Sequence, residues 1–247
     1  MRISLYRSFH FCKEGMWPSE IDLVIVLINE KKEKERYARL IPHLLSRGIP
    51  KEKILCCGPT WGDELTNTMI FNVYDPFSRP GLPVFTFKAR CLSKGEISLV
   101  LNFYMASKTA IENGLKKVIM LESDSWIRED FVPRLNDLLE DLKEKEWDYV
   151  SLGEGVRTRP KGCDPSIYAK TKAYKPDHQY VYRCTDSMMF QVPYLEKVVS
   201  TLIPFRECLD WELNIQAMHH KSISWWADPP LAEQGTAVGR QETTLIA

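Results

Sequence analysis

The chain has 247 residues, 44% of them hydrophobic and 27% charged, which suits one large domain or two small ones. Its 33 basic and 33 acidic residues balance, so the net charge gives no reason to expect a nucleic-acid or membrane-surface partner. Seven cysteines without a CxxC pair argue against a disulfide framework or zinc ribbon. The most apolar run, residues 23–28, is too short to cross a bilayer, and residues 1–13 lack the apolar core of a signal peptide. We therefore expect a cytoplasmic protein without an integral membrane segment.

Hydrophobic periodicity predicts alternating strands and helices early in the chain. The β-branched run at residues 23–28 predicts a buried central strand, followed by a helix at 31–46 and a strand at 54–57. Strand, helix and strand in this order imply a right-handed crossover and a parallel pair. Repeated proline and glycine then predict a long irregular connection over residues 60–83, with a short strand at 84–88.

The second part of the chain continues the α/β pattern. Ser93-Lys94-Gly95-Glu96 forms a capping box, which predicts a helix from there to Asn113. Further elements are predicted in chain order: a strand at 117–121, a helix around 131–142, a strand at 149–152, a hairpin of 180–184 with 187–191, a helix at 192–202, a helix with Asp210 as its N-cap, and a strand at 223–227.

An acidic cluster follows the strand predicted at residues 117–121, and it contains Glu122 and Asp124 on either side of Ser123. Ligands of open α/β sheets bind beyond the carboxyl ends of the strands. Two carboxylates at this place suit Mg²⁺ or Mn²⁺, with the phosphates of a nucleotide completing the metal's ligands. The spacing is equally compatible with carboxylates that only solvate a loop or cap a helix.

Two further groups of residues leave alternatives open. Trp225 and Trp226 offer flat faces on which a sugar can stack, unless they pack in the core. Basic residues between positions 153 and 179 suit either a solvated surface loop or a loop that closes over a phosphate-bearing ligand. These residues are Arg157, Arg159, Lys161, Lys170, Lys172 and Lys175.

Taken together and in this order, the motifs resemble glycosyltransferase family 25 over roughly residues 23–234. The motifs that carry the resemblance are Leu27-Ile28-Asn29-Glu30 with Lys32 and Arg36, Gly95-Glu96-Ile97-Ser98, Leu121-Glu122-Ser123-Asp124, Asp210-Trp211-Glu212, and Pro229-Pro230-Leu231 with Gln234. The chain departs from the family pattern at three places. Ser123 replaces an acidic residue, Asn102-Phe103 replaces a Ser-His pair, and Glu30 replaces an aspartate.

The resemblance implies a single α/β domain of the GT-A type over residues 1–247, Rossmann-like, with a mixed, mostly parallel central sheet flanked by helices. It implies a nucleotide-binding half at about residues 20–125 and an acceptor half at about 126–247. The implied reaction is inverting transfer of a hexose from a nucleotide sugar, a UDP-hexose above all, to a glycan or glycoprotein acceptor. The implied cofactor is Mn²⁺ or Mg²⁺.

The resemblance also assigns roles to individual residues. Asp124 is the expected metal ligand, with Glu122 as a second ligand or a supporting group. Asp210 is the expected catalytic base, with Glu212 as the alternative and helix capping as its competing role. Donor binding is expected of Asn29, Lys32, Arg36, Glu96, Glu122 and Ser123. From their residue types and positions alone, Asp186 is expected to bind a donor hydroxyl, and Trp225 and Trp226 are expected to bind the acceptor.

Two other functions compete with the transferase. Ser123 and the Asn102-Phe103 pair favour a non-catalytic module that binds a nucleotide or a glycan. A nucleotidyltransferase or phosphatase on a similar sheet needs more carboxylates than this cluster supplies.

Overall fold

The computed structural model describes residues 16–77, 91–153, 170–176, 181–182, 184–236 and 239. Its strands are β1 (Leu23–Leu27), β2 (Ile54–Cys56), β3 (Lys117–Glu122), β4 (Ser125–Ile127), β5 (Tyr149–Ser151), β6 (Lys172–Tyr174), β7 (Ser187–Gln191), β8 (Ser224–Asp228) and β9 (Ala232–Gln234). Its α-helices are α1 (Lys34–Ser46), α2 (Asn67–Val73), α3 (Lys94–Glu112), α4 (Phe131–Leu142), α5 (Val192–Leu202) and α6 (Leu209–His220), and single 3₁₀ turns lie at Lys51–Lys53 and Gly62–Glu64.

The strands form a central sheet in the order β2-β1-β3-β7-β5-β8-β6. β1 pairs in parallel with β2 and β3, and β5 pairs in parallel with β8. β7 runs antiparallel between β3 and β5, and β6 runs antiparallel at the edge. In the part of the chain that is described, five of the seven strands in this sheet therefore point the same way. The predicted α/β fold, Rossmann-like with a mixed, mostly parallel sheet flanked by helices, is confirmed.

Apolar side chains cover both faces of the sheet. Ile25 and Met120 belong to the core cluster shared with α3 and α5, whereas Val24 and Ile119 belong to the one shared with α1 and α4. Because these strands are buried on both faces, their sequences are continuous apolar runs rather than alternating ones. The faces are closed by helices whose starts and periodicity are visible in the sequence.

The structure corrects three expectations about the elements. Residues 60–83 were expected to be irregular, but they contain α2, which begins where the Thr66 hydroxyl accepts the Met69 N–H at 3.2 Å. The predicted hairpin is wrong for β7, because β7 pairs with β3 and β5. β4 was missed, and it pairs with β9 in a separate two-stranded sheet. The strand predicted at residues 84–88 lies outside the described residues.

No helix among the described residues is both long enough and apolar enough to traverse a lipid bilayer.

Candidate active site

A cavity opens at the carboxyl ends of β1 and β3, and it encloses about 760 Å³ including its mouth. One wall is formed by the start of α1 and the segment after β3, and the facing wall by the segment after β2 and the start of α3. The lining residues are Leu27, Glu33, Arg36, Trp61, Gly62, Asp63, Gly95, Ser98, Leu99, Asn102, Glu122, Ser123, Asp124, Gln234 and Thr236. Four predicted site residues are among them: Arg36, Glu122, Ser123 and Asp124.

The acidic end of the cavity is built where β3 ends beside the start of β7. The Thr185 hydroxyl donates to Glu122 Oε1, and the Thr236 hydroxyl donates to Asp124 Oδ2 at 2.5 Å. The backbone N–H of Glu122 donates to the Asp186 carbonyl oxygen at 2.9 Å, which fixes Asp186 next to the other two residues. Side-chain hydroxyls therefore hold the carboxylates of Glu122 and Asp124 at the cavity.

Asp186 lies just behind this end of the cavity and is buried. The Ser187 hydroxyl donates to its Oδ2 at 2.9 Å. Its carboxylate fills the space over Gly153, where an added Cβ would lie 2.2 Å from Oδ2. Only glycine at position 153 leaves room for this arrangement, so the segment just after β5 also helps to position the acidic end.

Burial and neighbouring charge raise the pKa values of Glu122 and Asp186. Burial raises the pKa of Glu122 well above its ordinary value, and the neighbouring charge of Asp124 raises it further. Burial raises the pKa of Asp186 to about 7, and Asp124 adds to this increase. Mutual repulsion among buried carboxylates is relieved by a proton or by a cation. The acidic end is therefore suited to a positively charged ligand.

Ser123 connects the acidic end to the start of α1. Arg36 Nη1 donates to Ser123 Oγ at 2.8 Å, and Ser123 Oγ donates to Glu33 Oε1 at 2.7 Å. Arg36 Nη1 also lies 3.7 Å from Glu33 Oε1. The serine thus takes part in a chain of hydrogen bonds that orients the Arg36 guanidinium at the cavity wall.

The facing wall is a loop after β2 that the sequence did not identify as part of a site. Asn102 Oδ1 accepts the Thr60 N–H at 2.9 Å, and Asn102 Nδ2 donates to the Thr60 carbonyl at 3.2 Å. Gly62 packs on the start of α3 so closely that an added Cβ would lie 2.9 Å from the Gly95 nitrogen. These contacts place Trp61 and Asp63 at the cavity.

The start of α6 brings Asp210 toward the acidic end. The expectation that Asp210 is an N-cap is wrong, because Cys208 occupies that position and Asp210 lies in the first turn of α6. Asp210 Oδ1 accepts the Trp211 N–H at 2.9 Å and the Cys208 thiol at 3.1 Å. Burial raises the pKa of Asp210, and the charge of Asp210 in turn contributes to the raised pKa of Glu122. The two carboxylates are therefore within electrostatic reach of each other.

Glu212, the alternative base, is fully buried and serves the fold. Its Oε2 accepts the backbone N–H groups of Arg206 at 3.0 Å and Glu207 at 3.3 Å. Its Oε1 accepts Gln216 Nε2 at 3.3 Å. A role as base finds no support here, because the carboxylate holds the segment that leads into α6.

Three predicted donor-binding residues serve local structure outside the cavity lining. Asn29 Oδ1 accepts the backbone N–H groups of Lys31 and Lys32, both at 3.2 Å, and so holds the turn after β1. Lys32 Nζ pairs with Glu64 Oε1 at 2.8 Å on the surface. Glu96 closes the predicted capping box of α3, since its Oε2 accepts the Ser93 N–H at 2.8 Å.

The two tryptophans of β8 do not line the cavity. Trp226 is buried, and its Nε1 donates to the Val181 carbonyl at 2.8 Å. Trp225 donates from Nε1 to the Glu146 carbonyl at 3.0 Å, and its ring lies 5.1 Å from Lys175 Nζ. The predicted acceptor platform therefore finds no support at these positions.

The remaining candidates are the basic segment and two threonines of the acidic end. Arg157, Arg159 and Lys161 of the basic segment lie outside the described residues, whereas Lys172 is part of β6 at the sheet edge. Thr185 and Thr236 were not identified from the sequence. The sequence feature that could have indicated them is their position close to Asp186 and Gln234 in the chain.

Comparison with known proteins places this geometry in context. No family model matches the chain. The chain is 32% identical to the probable inactive glycosyltransferase 25 family member 3 of Rattus norvegicus, over 150 residues that make up 59% of this chain and 25% of that protein. The resemblance to glycosyltransferase family 25 is confirmed.

Two mouse relatives extend the comparison. The chain is 30% identical to inactive glycosyltransferase 25 family member 3 of Mus musculus, over 52% of this chain and 21% of that protein. It is 23% identical to procollagen galactosyltransferase 2 of Mus musculus, over 63% of this chain and 24% of that protein. The chain thus spans about a quarter of the length of the curated relatives it matches, and these relatives include proteins named as inactive.

Proposed function

We propose that the chain is a glycosyltransferase that moves a hexose from a UDP-hexose to a glycan or glycoprotein acceptor. The observation that carries the proposal is the cavity at the ends of β1 and β3. It brings Glu122, Asp124 and Arg36 together, with Asp210 in electrostatic reach of Glu122. A donor diphosphate needs positive charge, which the cavity can supply, and an attacking hydroxyl needs a base, which Asp210 can supply from beside it.

The acidic end fits a divalent cation that is shared with the donor. Glu122 and Asp124 would hold it, and the hydroxyls of Thr185 and Thr236 would orient the two carboxylates. Across the described ranges, no group of three or more His, Cys, Asp or Glu side chains is arranged to hold a metal ion by itself. This agrees with Mn²⁺ or Mg²⁺ bound by one or two carboxylates together with substrate phosphates. When bound, such an ion stabilises the charge on the leaving diphosphate.

The remaining walls suit the rest of a nucleotide. Arg36 can donate to a phosphate oxygen while Ser123 keeps its guanidinium oriented. Trp61 offers a ring on which the base can stack, and the Asp63 carboxylate can accept hydrogen bonds from the nucleoside. The loop that carries both residues is anchored by Asn102, one of the positions that depart from the family pattern.

Asp210 is the proposed base for inverting transfer. Its carboxylate takes the proton from the acceptor hydroxyl as that oxygen attacks the anomeric carbon from the face opposite the departing UDP. The pKa of Asp210 is raised by burial, which makes the carboxylate a stronger base than an exposed aspartate. The hydrogen bonds from Trp211 and Cys208 fix its direction.

A thermal-shift and hydrolysis experiment tests the proposal. The full chain is heated with UDP-glucose, UDP-galactose, GDP-mannose or no nucleotide sugar, each with and without Mn²⁺. Near saturation, a bound UDP-hexose should raise the melting temperature by about 5 °C or more, and only with the cation. Slow release of UDP should accompany binding. If none of the nucleotide sugars stabilises the chain with Mn²⁺, the proposal fails.

A non-catalytic binding module is the second candidate. It is favoured by Ser123 within the acidic motif and by relatives whose names call them inactive. The same experiment separates the two functions. A binding module is stabilised by the nucleotide sugar but releases no UDP above the rate measured without protein, with or without added glycans.

A further inference from the structure

An exposed aromatic side chain lies directly beside the proposed base. Trp211 is the third residue of α6 and is 44% exposed, although the residues on either side of it are half-buried or buried. Its backbone N–H donates to Asp210 Oδ1 at 2.9 Å, so the indole and the carboxylate are held by one turn of helix. The indole ring can therefore be reached from solvent.

The surroundings of Asp210 restrict where an acceptor can lie. The reacting hydroxyl must come within hydrogen-bond distance of the carboxylate, about 2.6–3.2 Å. Asp210 is also in electrostatic reach of Glu122, on the donor side. The remainder of the acceptor must therefore extend away from the cavity, across the surface that α6 presents next to Asp210. Trp211 is the large exposed side chain at that position.

We propose that Trp211 is the platform on which the acceptor sugar stacks while one of its hydroxyls meets Asp210. This inference rests on the proposed transferase function and adds the acceptor class to it. Tryptophan presents a flat apolar face with low conformational-entropy cost, which suits the C–H face of a pyranose ring. The nearby carboxylates Glu96, Asp210 and Glu122 favour an uncharged sugar over an acidic one.

Fluorine NMR of the full chain labelled with fluorotryptophan tests the inference. The chain has seven tryptophans, so each signal can be assigned by its loss in a single Trp→Phe variant. Methyl glycosides of glucose, galactose and mannose are titrated with and without UDP and Mn²⁺. The Trp211 signal should shift saturably with at least one glycoside, whereas the signals of Trp225 and buried Trp226 should not move.

Variants of Trp211 and a control variant test whether this ring binds the glycoside. Trp211→Ala should weaken glycoside binding about fivefold to tenfold, measured from the remaining signals and by calorimetry, and Trp211→Phe should weaken it less. Trp225→Phe is the matched control and should leave glycoside affinity unchanged. A glycoside-dependent shift at Trp225 instead of Trp211, or no shift at Trp211 with any of the glycosides, overturns the inference.

Failure of the underlying function has a separate signature. UDP with Mn²⁺ should shift the signal of Trp61, which lines the cavity, whether or not a glycoside is present. A silent Trp61 with a responsive Trp211 would contradict the nucleotide site but support the sugar platform. A responsive Trp61 with a silent Trp211 would support the nucleotide site and overturn the platform.

Discussion

The acidic end of the cavity and the start of α6 both contain buried carboxylates, but the two regions hold them by different groups. At the cavity, the hydroxyls of Thr185 and Thr236 donate to Glu122 and Asp124. At the start of α6, Glu212 accepts the backbone N–H groups of two consecutive residues. The carboxylates of Glu122 and Asp124 repel one another at the opening of the cavity. The carboxylate of Glu212 is instead enclosed by the segment that it supports.

This difference separates function from structure. A backbone amide can only donate, and moving it means moving the chain, so a carboxylate held by two amides of a preceding segment, as Glu212 is, belongs to the fold. A hydroxyl can rotate and either donate or accept, so it can keep a carboxylate in place before and after a cation arrives. We therefore expect Glu122 and Asp124 to tolerate substitution with less damage to folding than Glu212.

The largest effect is expected for Asp124→Asn. The change removes one of the two proposed metal ligands but keeps the shape of the side chain, so transfer and UDP release should fall by at least about 100-fold. The melting temperature without ligand should not fall, because the charge that raises the pKa of Glu122 is removed. Glu129→Gln, at an 80% exposed side chain, is the matched control. Substantial activity in Asp124→Asn would remove this residue from the metal site.

Asp210→Asn and Glu212→Gln should have opposite consequences. Asp210→Asn should lower the transfer rate by two or more orders of magnitude, with unchanged UDP affinity and unchanged stability. Glu212→Gln should lower the free energy of unfolding by about 1–3 kcal/mol, because the amide replaces a charged acceptor of two backbone N–H groups. Denaturant unfolding and single-turnover transfer measure the two effects. If Asp210→Asn is the more destabilising change, the distinction between a catalytic Asp210 and a structural Glu212 is wrong.

The fold was largely predictable because its signals are local. The capping box of α3 depends on Ser93 and Glu96 three positions apart, and the continuous apolar runs of β1 and β3 depend on burial of both faces. The pairing of β7 was not predictable in the same way. Its hydrogen-bonding partners are β3 and β5, so neighbours in the chain gave no information about its neighbours in the sheet.

Part of the site could be predicted for a similar reason. Glu122 and Asp124 follow a strand, and the end of a strand is a place that topology makes functional. Trp61 and Asp63 escaped prediction because their loop is anchored by Asn102, 42 positions from Thr60, a contact that exists only in the folded chain. The tryptophans of β8 were predicted to bind the acceptor because of their residue type alone. Their exposure depends on the register of the sheet, which pairs Trp226 with Ser151.

A smaller effect is expected from pH acting on Asp186. Burial, with the charge of Asp124, raises its pKa from 3.8 to about 7, so the folded chain keeps a proton that the unfolded chain loses near pH 4. The contribution of Asp186 to stability should therefore fall as pH rises from about 4 to about 7. Asp186→Asn cannot ionise and should flatten this slope, measured by urea unfolding without metal at several pH values. Equal slopes in the two proteins would contradict the assignment.

The smallest effect is expected for Thr236→Val, which directly probes a hydroxyl that holds a carboxylate. The change removes the donor 2.5 Å from Asp124 Oδ2 while keeping the volume of the side chain. Affinity for Mn²⁺ in the presence of UDP should fall about tenfold, the lower end of the range for groups that orient metal ligands. The electron paramagnetic resonance signal of free Mn²⁺ measures this without any need for turnover. Thr236→Ser should restore binding, since it returns the hydroxyl.

Thr185→Val should weaken binding less, because its partner Glu122 is the second ligand. A larger loss for Thr185→Val would reverse the order of the two carboxylates and make Glu122 the principal ligand.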